Sequence, residues 1–295
     1  MHVVSLIGEQ PIPCLMILRF LKPKGFTLVC SDFTRGVAQR LKKIVKANEK
    51  FLIEVSPYQL GEIRQEIFTH VRNLTDKEVT FDLTGGTKVM AFAAYDVARS
   101  LRASAYYLRS QRENVLFKYT FSKTGVIEER LDVSPDLFTL HDYLSVYLDE
   151  FKITGPCKSS PGREFEIAVR EAMESTVDEI EAGVRGVGGQ LDLDLAFRLG
   201  NLVGVAEVKT GKKGDEKDAL EQLKSATNPK FLGTFTKPFL IIDHAWGPKQ
   251  RNLQELAEAW DITVIELPSY REKGNISRED WEKLRSKISE ILKGG

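Results

Sequence analysis

Short apolar segments alternate with amphipathic ones over residues 1–109, and this alternation constrains the fold more than any other feature. Five apolar segments have strand length: 2–8, 26–31, 51–55, 78–83 and 103–109. The segments between them have the apolar spacing of helices: 13–21, 33–47, 59–74 and 87–101. Such an order predicts an α/β domain in which helices cover both faces of a parallel sheet. Parallel sheets bind ligands beyond the carboxyl ends of their strands, so we expect a ligand site among the loops 8–11, 31–34 and 84–88.

The second half of the chain has a different order of elements. A hairpin at 115–121 and 126–131 ends the first pattern, a short helix is predicted within 137–148, and a Gly/Pro/Ser-rich stretch follows at 153–162. Helices are predicted at 163–175, 215–226, 250–260 and 277–292, and strands at 177–185, 190–198, 202–209, 239–243 and 262–267. This order predicts a second α/β domain with a mixed sheet. We therefore expect a first domain at 1–134, a linker with a short helix at 135–160 and a second domain at 161–295.

Charge is balanced over the whole chain but not along it. Residues 1–140 carry 20 Lys and Arg against 15 Asp and Glu, and the remainder carries the opposite excess. A positive first half favours an anionic ligand, although chance asymmetry among solvated helices explains the same numbers.

Cysteine usage and hydropathy indicate the compartment. Three cysteines (Cys14, Cys30 and Cys157) without CxxC spacing argue against a disulfide framework or a thiolate zinc site, and they fit a reducing cytoplasm. No apolar run approaches the ~18 residues that a membrane helix needs. The N-terminus also lacks the basic and apolar regions of a signal peptide. We therefore expect a cytoplasmic protein without a membrane partner.

Two carboxylates and a lysine stand on neighbouring predicted strands. Glu207 and Lys209 are two residues apart and share one face of a strand, and a turn at 199–201 would bring Asp194 beside them. Converging carboxylates can hold Mg²⁺ or Mn²⁺, which polarises a phosphoryl oxygen and lowers the pKa of a water molecule. A neighbouring lysine can orient that water or stabilise charge on the phosphate. The alternative is the polar face of a half-exposed strand, on which such a Glu–Lys pair is common.

A third carboxylate could join this pocket from the helix predicted at 163–175. Glu166 lies in its first turns, and Glu164 is the competitor. The two side chains point about 200° apart on a helix, so only one is expected to face inward. Either glutamate could instead simply favour the start of the helix through the helix dipole.

Two features that follow the strands of the second domain have a functional and a structural interpretation. Lys212 and Lys213 follow the Glu-x-Lys strand, where a basic loop could contact a phosphate backbone or form a solvated tip. His244 and Trp246 follow the strand 239–243. His244 is a candidate general base and Trp246 could stack on a nucleic-acid base, although an anchor in the core or at the surface is the commoner role of such a tryptophan.

The first half contains a glycine-rich connection, Asp82-Leu83-Thr84-Gly85-Gly86-Thr87-Lys88, between a predicted strand and a helix. Its two glycines let the backbone approach a phosphate, and the amides at a helix N-terminus favour an anion. The motifs GxxxxGK[ST] and GxGxxG are absent. A tight turn with a threonine cap explains the same residues.

The second domain resembles the PD-(D/E)XK, or restriction-endonuclease-like, fold. The resemblance rests on a helix glutamate followed by Asp-x12-Glu-Val-Lys on the order α-β-β-β-α-β, over about 160–295. It implies that Asp194, Glu207 and the Val208 carbonyl hold a metal ion. It also implies that Glu166 assists and that Lys209 positions the attacking water.

The first domain resembles the CARF domain, the Rossmann-like sensor of CRISPR-associated ancillary proteins. The resemblance rests on IGEQPIP (7–13), SDFTRG (31–36) and DLTGGTKVM (82–90), and it spans most of 1–130. The GEQPIP loop is similar to that of CARF proteins fused to a PD-(D/E)XK nuclease.

Together the resemblances imply a homodimer in type III CRISPR antiviral defence. A cyclic oligoadenylate, usually cyclic tetra-adenylate, would bind across the two-fold axis and allosterically activate a Mn²⁺- or Mg²⁺-dependent nuclease that cuts DNA, RNA or both. The residues at the ligand-contacting positions are Gly8, Glu9, Gln10, Ser31, Thr84, Gly85, Gly86, Thr87 and Lys88. Two other functions stay open: a CARF sensor with an inactive nuclease fold that acts as a binding module, and a ring nuclease that degrades the signal.

Overall fold

The structure, a computed structural model, describes residues 1–74, 77–111, 113–158, 162–186 and 191–293. The chain divides into two compact units, Met1–Phe138 (unit 1) and Thr139–Gly295 (unit 2). Each unit is built on a mixed sheet with helices, which confirms the predicted α/β class. Among the described residues, no helix combines the length and the apolar character needed to cross a membrane.

The strands of unit 1 are β1 (His2–Leu6), β2 (Gly25–Cys30), β3 (Glu49–Glu54), β4 (Val79–Asp82), β5 (Ala105–Gln111), β6 (Glu113–Phe121) and β7 (Val126–Asp132). Its helices are α1 (Ile12–Leu21), α2 (Arg35–Ile44), α3 (Leu60–Arg72) and α4 (Lys88–Leu101). The sheet order is β3-β2-β1-β4-β5-β6-β7. The first five strands are parallel, and β6 and β7 add an antiparallel hairpin. The chain order reverses between β1 and β4, which is where open parallel sheets bind ligands.

The core of unit 1 explains why its strands have continuous apolar sequences. Every residue of β1 is buried, because helices cover both faces of a parallel sheet. Val4 and Phe81 of the sheet pack in one cluster with Ile63 of α3 and Val97 of α4. Full burial of one such aliphatic side chain contributes about 1.5–3 kcal/mol.

The strands of unit 2 are β8 (Phe151–Ile153), β9 (Glu179–Gly186), β10 (Asp192–Leu199), β11 (Leu202–Lys209), β12 (Thr236–Ile242) and β13 (Thr263–Glu266). Its helices are α5 (Leu140–Tyr147), α6 (Gly162–Glu174), α7 (Lys217–Ala226), α8 (Arg251–Ala259), α9 (Pro268–Lys273) and α10 (Arg278–Lys293), with short 3-10 turns at Gly211–Asp215 and Pro248–Gln250. The sheet order is β13-β12-β11-β10-β9-β8. The strands β11, β12 and β13 are parallel, and the other pairs are antiparallel.

The segment predicted as a linker contributes regular structure to unit 2. Helix α5 lies in this unit, and β8 pairs with β9 at the edge of its sheet. Residues 159–161, where the predicted linker meets the predicted second domain, lie outside the described residues.

A tight turn between β10 and β11 sets the register of the sheet of unit 2. Gly200 has φ +62°, a left-handed conformation that favours glycine. Its N–H donates to Asp178 Oδ2 (2.7 Å), and its carbonyl accepts a hydrogen bond from Arg198 (2.7 Å). Leu195 pairs with Ala206 in this register, so the next position along the ladder places Asp194 opposite Glu207.

Candidate functional sites

A cleft of about 780 Å³ opens in unit 2 where β11 and β12 end. Four residues of the predicted metal and catalytic site line it: Glu166, Asp194, Val208 and Lys209. Glu207 is only 1% exposed and lies behind this lining. The other charged residues of the lining are Lys212, Lys213, Glu216, Asp218, Asp243 and Arg271.

Lys209 joins the two predicted carboxylates. Its ammonium nitrogen lies 2.6 Å from Asp194 Oδ2 and 2.5 Å from Glu207 Oε2. Asp194 Oδ2 also accepts a hydrogen bond from the backbone N–H of Val208 at 2.8 Å. The arrangement follows from strand geometry, because Glu207 and Lys209 share one face of β11 and the β10–β11 register brings Asp194 alongside.

Burial and charge act together on this cluster. Burial, followed by the negative charge of Asp194, raises the pKa of Glu207 well above its usual range. Burial alone would lower the pKa of Lys209, but the charges of Glu207 and Asp194 outweigh burial and raise it. One ammonium group therefore stabilises two carboxylates that are costly to bury without a counter-charge.

Helix α6 supplies a third carboxylate to the cleft. Glu166 is 2% exposed and its Oε2 accepts a hydrogen bond from the backbone N–H of Cys157 at 3.0 Å. Glu164 is exposed, because the two residues point to opposite sides of the helix. Burial is the largest influence on Glu166 and raises its pKa.

The donor atoms of the cleft are of the kind that bind a hard divalent cation. Glu166 Oε1 and Glu207 Oε1 are buried and have no hydrogen-bond partner, which is unusual for buried polar atoms. Across the described residues, no group of three or more His, Cys, Asp and Glu side chains is arranged to hold a metal ion. The predicted metal ligands are two side chains, Asp194 and Glu207, and the backbone carbonyl of Val208. A set of this kind lies below the three side chains that define such a group. Mg²⁺ and Mn²⁺ prefer oxygen ligands, so the chemistry of this set suits either ion.

His244 lies between two carboxylates beside the cleft. Its Nδ1 is 2.8 Å from Asp243 Oδ1, and its Nε2 is 2.9 Å from Asp215 Oδ1. Burial tends to lower the pKa of His244, but the hydrogen bonds to Asp215 and Asp243 raise it above its usual value. Both ring nitrogens are engaged within the protein, which does not suit the general-base role considered for His244.

Trp246 is an anchor and not an open stacking surface. Its ring is buried, and its indole N–H donates to the carbonyl of Gly214 at 3.0 Å. The sequence did not reveal this contact or the pairing of His244 with Asp215. The partners are 32 and 29 residues apart and belong to no local motif.

In unit 1, the loops that follow β1 and β4 touch through their backbones. A Cβ atom on Gly85 would lie 2.1 Å from the carbonyl oxygen of Leu6, so only glycine fits there. A Cβ atom on Gly8 would lie 3.2 Å from the backbone nitrogen of Gly86. Gly86 has φ +74°, which also favours glycine. The structure therefore brings Gly8, Gly85 and Gly86 together at the switch point of the sheet.

The buried carboxylate of Asp82 forms hydrogen bonds that stabilise this glycine loop. Asp82 accepts a hydrogen bond from the Ser5 hydroxyl at 2.5 Å and one from the backbone N–H of Thr84 at 2.9 Å. Burial outweighs these hydrogen bonds and raises the pKa of Asp82 to about 6. The Thr84 hydroxyl in turn accepts a hydrogen bond from the backbone N–H of Leu108 at 2.9 Å, which ties the loop to β5.

The remaining residues predicted to contact a ligand differ in accessibility. Thr87 caps α4, because its hydroxyl accepts from Met90 N (3.2 Å) while it donates to Pro57 O (2.7 Å). Ser31 is buried directly after β2. The others are accessible to different degrees: Glu9 and Lys88 are exposed, and Gln10 is half-buried.

Among the comparisons with known proteins, one family model matches the first half of the chain. Residues 2–143 match the family model of the Card1 CARF domain. A search of curated proteins finds no match.

Three solved structures share the fold. Can2 from Sulfobacillus thermosulfidooxidans, in complex with cyclic tetra-adenylate, has a TM-score of 0.72 and 16% identity over 92% of this chain and 96% of that one. Protein VC1899 from Vibrio cholerae has a TM-score of 0.74 and 14% identity over 99% of this chain and 98% of that one. A type III CRISPR defence DNA nuclease activated by cyclic oligoadenylate has a TM-score of 0.62 and 15% identity over 84% of this chain and 46% of that one.

These likenesses concern the fold, whereas the family match concerns the sequence of residues 2–143. The parallel sheet with its switch point between β1 and β4, and the contact between the loops that follow these strands, agree with that match. The chain therefore carries a CARF domain with a Rossmann-like fold in its N-terminal half.

Proposed function

We propose that this protein is a nuclease of type III CRISPR antiviral defence that depends on a divalent metal ion and is activated by a cyclic oligoadenylate. The observation that carries the proposal is the contact of Lys209 with both Asp194 and Glu207 inside a cleft. The cluster stands in a chain whose N-terminal half is a CARF domain. A sensor joined to a site of this chemistry is the arrangement expected of a ligand-activated nuclease.

Each residue of the cluster has a role in the proposed hydrolysis of a phosphodiester. Asp194, Glu207 and the Val208 carbonyl would hold Mg²⁺ or Mn²⁺, which when bound polarises a phosphoryl oxygen and lowers the pKa of a water molecule. Lys209 would orient the attacking water and stabilise negative charge that develops on the phosphate. Glu166 would assist through Oε1, which is buried and has no hydrogen-bond partner in the protein.

The proposed activator is cyclic tetra-adenylate, bound at the loops of unit 1. Glycines at 8, 85 and 86 let the loops after β1 and β4 pack closely at the switch point. These glycines are half-buried, so their backbone amides can contact an anionic ligand. We assign contacts to these glycines and to Glu9, Gln10, Ser31, Thr84, Thr87 and Lys88. Can2, which shares the fold, is described in complex with this ligand.

We propose that the active form is a homodimer in the cytoplasm. A ring of identical nucleotides fits a symmetric site formed by two copies of one surface. Binding would shift the nuclease units between arrangements, with a coupling free energy of about 1–3 kcal/mol. The cytoplasm fits three cysteines that form no disulfide with one another, Cys14, Cys30 and Cys157. The nucleic-acid substrate would be DNA, RNA or both.

A cleavage assay tests the proposal. Supercoiled plasmid and a single-stranded RNA are each incubated with the protein and Mn²⁺, with and without cyclic tetra-adenylate. We expect cleavage only when the ligand is present, and no cleavage by Asp194→Asn. Cleavage without the ligand would contradict activation, and cleavage by Asp194→Asn at the wild-type rate would contradict the site.

Calorimetry with Mn²⁺ and analysis of the ligand after incubation separate the two other functions. An inactive nuclease fold that acts as a binding module would bind the ligand, cut neither substrate and take up Mn²⁺ poorly in calorimetry. A ring nuclease would convert cyclic tetra-adenylate to a linear product even in Glu207→Gln. Either result would replace the proposed function.

A further inference from the structure

A short basic segment leaves β11 directly after Lys209. Residues Gly211–Asp215 form a single 3-10 turn, and the side chains of Lys212 and Lys213 are exposed and line the cleft. With Lys209, these side chains place three positive charges within five residues. Lys209 is paired with Asp194 and Glu207, whereas the neighbouring ammonium groups of Lys212 and Lys213 repel each other, so the conformation of the turn needs support from elsewhere in the fold.

Three side chains that follow β12 supply this support. Asp243 Oδ1 accepts a hydrogen bond from the backbone N–H of Gly211 at 3.0 Å. The indole N–H of Trp246 donates to the carbonyl of Gly214 at 3.0 Å. His244 Nε2 bonds Asp215 Oδ1 at 2.9 Å, so the turn is held at its start, at its fourth residue and at its end. We call Asp243, His244 and Trp246 the clamp.

The clamp is buried and closely fitted to the turn. Asp243 and His244 are 6% and 9% exposed. A Cβ atom on Gly214 would lie 2.8 Å from His244 Cε1, so the backbone of the turn rests directly on the imidazole ring. Each nitrogen of His244 lies within hydrogen-bond distance of one carboxylate, so the ring joins Asp243 to Asp215. The protonated ring would donate a hydrogen bond to both.

This arrangement matters for a substrate with a phosphate backbone. A flexible loop of lysines loses backbone and side-chain conformational entropy when it binds, whereas a turn whose backbone is already fixed loses less. Contacts from a protein to the phosphate backbone of a nucleic acid fix the register of that nucleic acid and carry little sequence information. Lysines held at the rim of the cleft would therefore bring a phosphodiester to the cluster of Asp194, Glu207 and Lys209 in one orientation.

We propose that Asp243, His244 and Trp246 are positioning residues that hold Lys212 and Lys213 for contact with the phosphates of a nucleic-acid substrate. The inference rests on the proposed function, because it names how that site would hold its substrate. For His244 and Trp246 it takes the place of the general-base and base-stacking roles that the sequence left open beside a structural one.

The test compares clamp variants with the loss of the lysines themselves. Trp246→Phe removes the indole N–H and keeps an aromatic ring. His244→Gln removes the imidazole ring that bonds both Asp243 and Asp215. The reference is the double variant Lys212→Ala/Lys213→Ala, and the control is Trp281→Phe, because Trp281 lies on α10 outside the lining of the cleft. Binding of a labelled DNA duplex and a labelled single-stranded RNA is measured without divalent metal and with cyclic tetra-adenylate, over a range of salt concentrations.

We expect each clamp variant to weaken binding about 5- to 20-fold and to flatten the dependence of log K on log salt, as the double lysine variant does. In cleavage with Mn²⁺, KM should rise while kcat stays within about threefold of wild type. Adding Trp246→Phe to the double lysine variant should have no further effect on binding, because both changes remove the same contacts. Hydrogen exchange of the amides at 211–215 should become faster in Trp246→Phe and stay unchanged in Trp281→Phe.

Four outcomes would overturn the inference. One is an unchanged salt dependence in both clamp variants, and another is an additive effect of Trp246→Phe in the double lysine variant. If the wild-type protein binds neither nucleic acid, the inference and the proposed function fall together. If it binds and cuts while the clamp variants match it, the inference alone is wrong.

Discussion

In unit 1 the loops at the carboxyl edge of the sheet meet through the backbones of Gly8 and Gly85, whereas in unit 2 the corresponding edge is filled by Asp194, Glu207 and Lys209. The first region leaves no room for side chains at the contact. The second depends on three charged side chains in direct contact. The contrast separates recognition from chemistry, because a backbone surface can approach a ligand closely while only side chains supply acids, bases and counter-charges.

The two regions should therefore respond to opposite kinds of mutation. Added volume should disrupt the loops of unit 1, and a change of charge with constant shape should disrupt the cleft of unit 2. The three tryptophans, Trp246, Trp260 and Trp281, all lie in unit 2, so their fluorescence reports the unfolding of this unit alone.

The largest effect is expected from Glu207→Gln, which removes a charge and keeps the shape. Cleavage of the preferred nucleic acid should fall by about 10³-fold or more, because both the counter-charge for Lys209 and a proposed metal ligand are lost. Initial rates measured with Mn²⁺ and cyclic tetra-adenylate check this prediction.

Two controls accompany it. Lys230→Met changes an exposed charge outside the cleft and should cleave like wild type. In calorimetry, Glu207→Gln should bind cyclic tetra-adenylate with the same affinity as the wild-type protein. Activity of Glu207→Gln within tenfold of wild type would remove Glu207 from the site.

The next effect is expected from Gly85→Ala, which adds one methyl group and no charge. The new Cβ would meet the carbonyl oxygen of Leu6, so the loop has to move away from β1. Affinity for cyclic tetra-adenylate should fall by about 100-fold or more in calorimetry, and the tryptophan-monitored unfolding of unit 2 should not change. Gly61→Ala is the matched control, because nothing lies within 4 Å of its Cβ. Equal affinities of the two variants would contradict the assignment of the ligand loops.

A smaller effect, on stability, is expected from pH at the opposite end of the parallel sheet. His2 Nε2 and His70 Nε2 both lie 2.8 Å from the hydroxyl of Thr27. Burial, and then the neighbouring His70 and Lys77, lower the pKa of His2 to about 4. Between about pH 6.5 and pH 4 the unfolded chain therefore binds a proton that folded unit 1 does not. The contribution of His2 to stability is thus lost as the pH falls through this window.

Asp82 acts in the opposite direction, because its raised pKa of about 6 stabilises the folded state as the pH falls from 6 towards 3.8. The effect of His2 is therefore isolated by comparing wild type with His2→Gln in urea unfolding monitored by circular dichroism. The difference in the free energy of unfolding should shrink by about 2–3 kcal/mol from pH 7 to pH 4.5. A difference that does not vary with pH would show that His2 keeps an ordinary pKa. The exposed His141 provides the control variant His141→Gln.

The smallest effect is expected from Thr87→Val, which removes the cap of α4 without altering volume. Loss of the hydrogen bonds to Met90 and Pro57 should lower the stability of unit 1 by about 1 kcal/mol. Thr87→Ser keeps the hydroxyl and should retain most of this stability. Urea titrations should show the change in circular dichroism and not in tryptophan fluorescence. Equal stability of Thr87→Val and Thr87→Ser would show that the cap contributes nothing.

Much of the fold could be predicted because its information is local. The continuous apolar sequence of β1 and the helical spacing of α3 each identify an element without knowledge of its neighbours. The strand β8 escaped prediction because Phe151–Ile153 is too short to show a pattern. The 3-10 turn at Gly211–Asp215 contains no apolar face and was treated as a loop.

The candidate cleft could be predicted where residues share a strand or a short hairpin, as Glu207, Lys209 and Asp194 do. The choice between Glu164 and Glu166 needed the helix to be placed against the sheet. The clamp could not be predicted, because His244 meets Asp215 only after β11 and β12 have paired in parallel. Contacts of that kind depend on the register between distant segments and leave no periodic signal.

The turn at Gly200 has a consequence for comparing related sequences. Side chains alternate between the faces of a strand, so one residue inserted between Leu199 and Leu202 could shift the ladder and turn Glu207 and Lys209 away from Asp194. Such a protein would still contain every residue of the motif in the right order. The length of this hairpin is therefore a better marker of an intact cleft than the presence of the motif, and relatives that change it are the first in which to expect a cleft without the contact between Lys209 and Asp194.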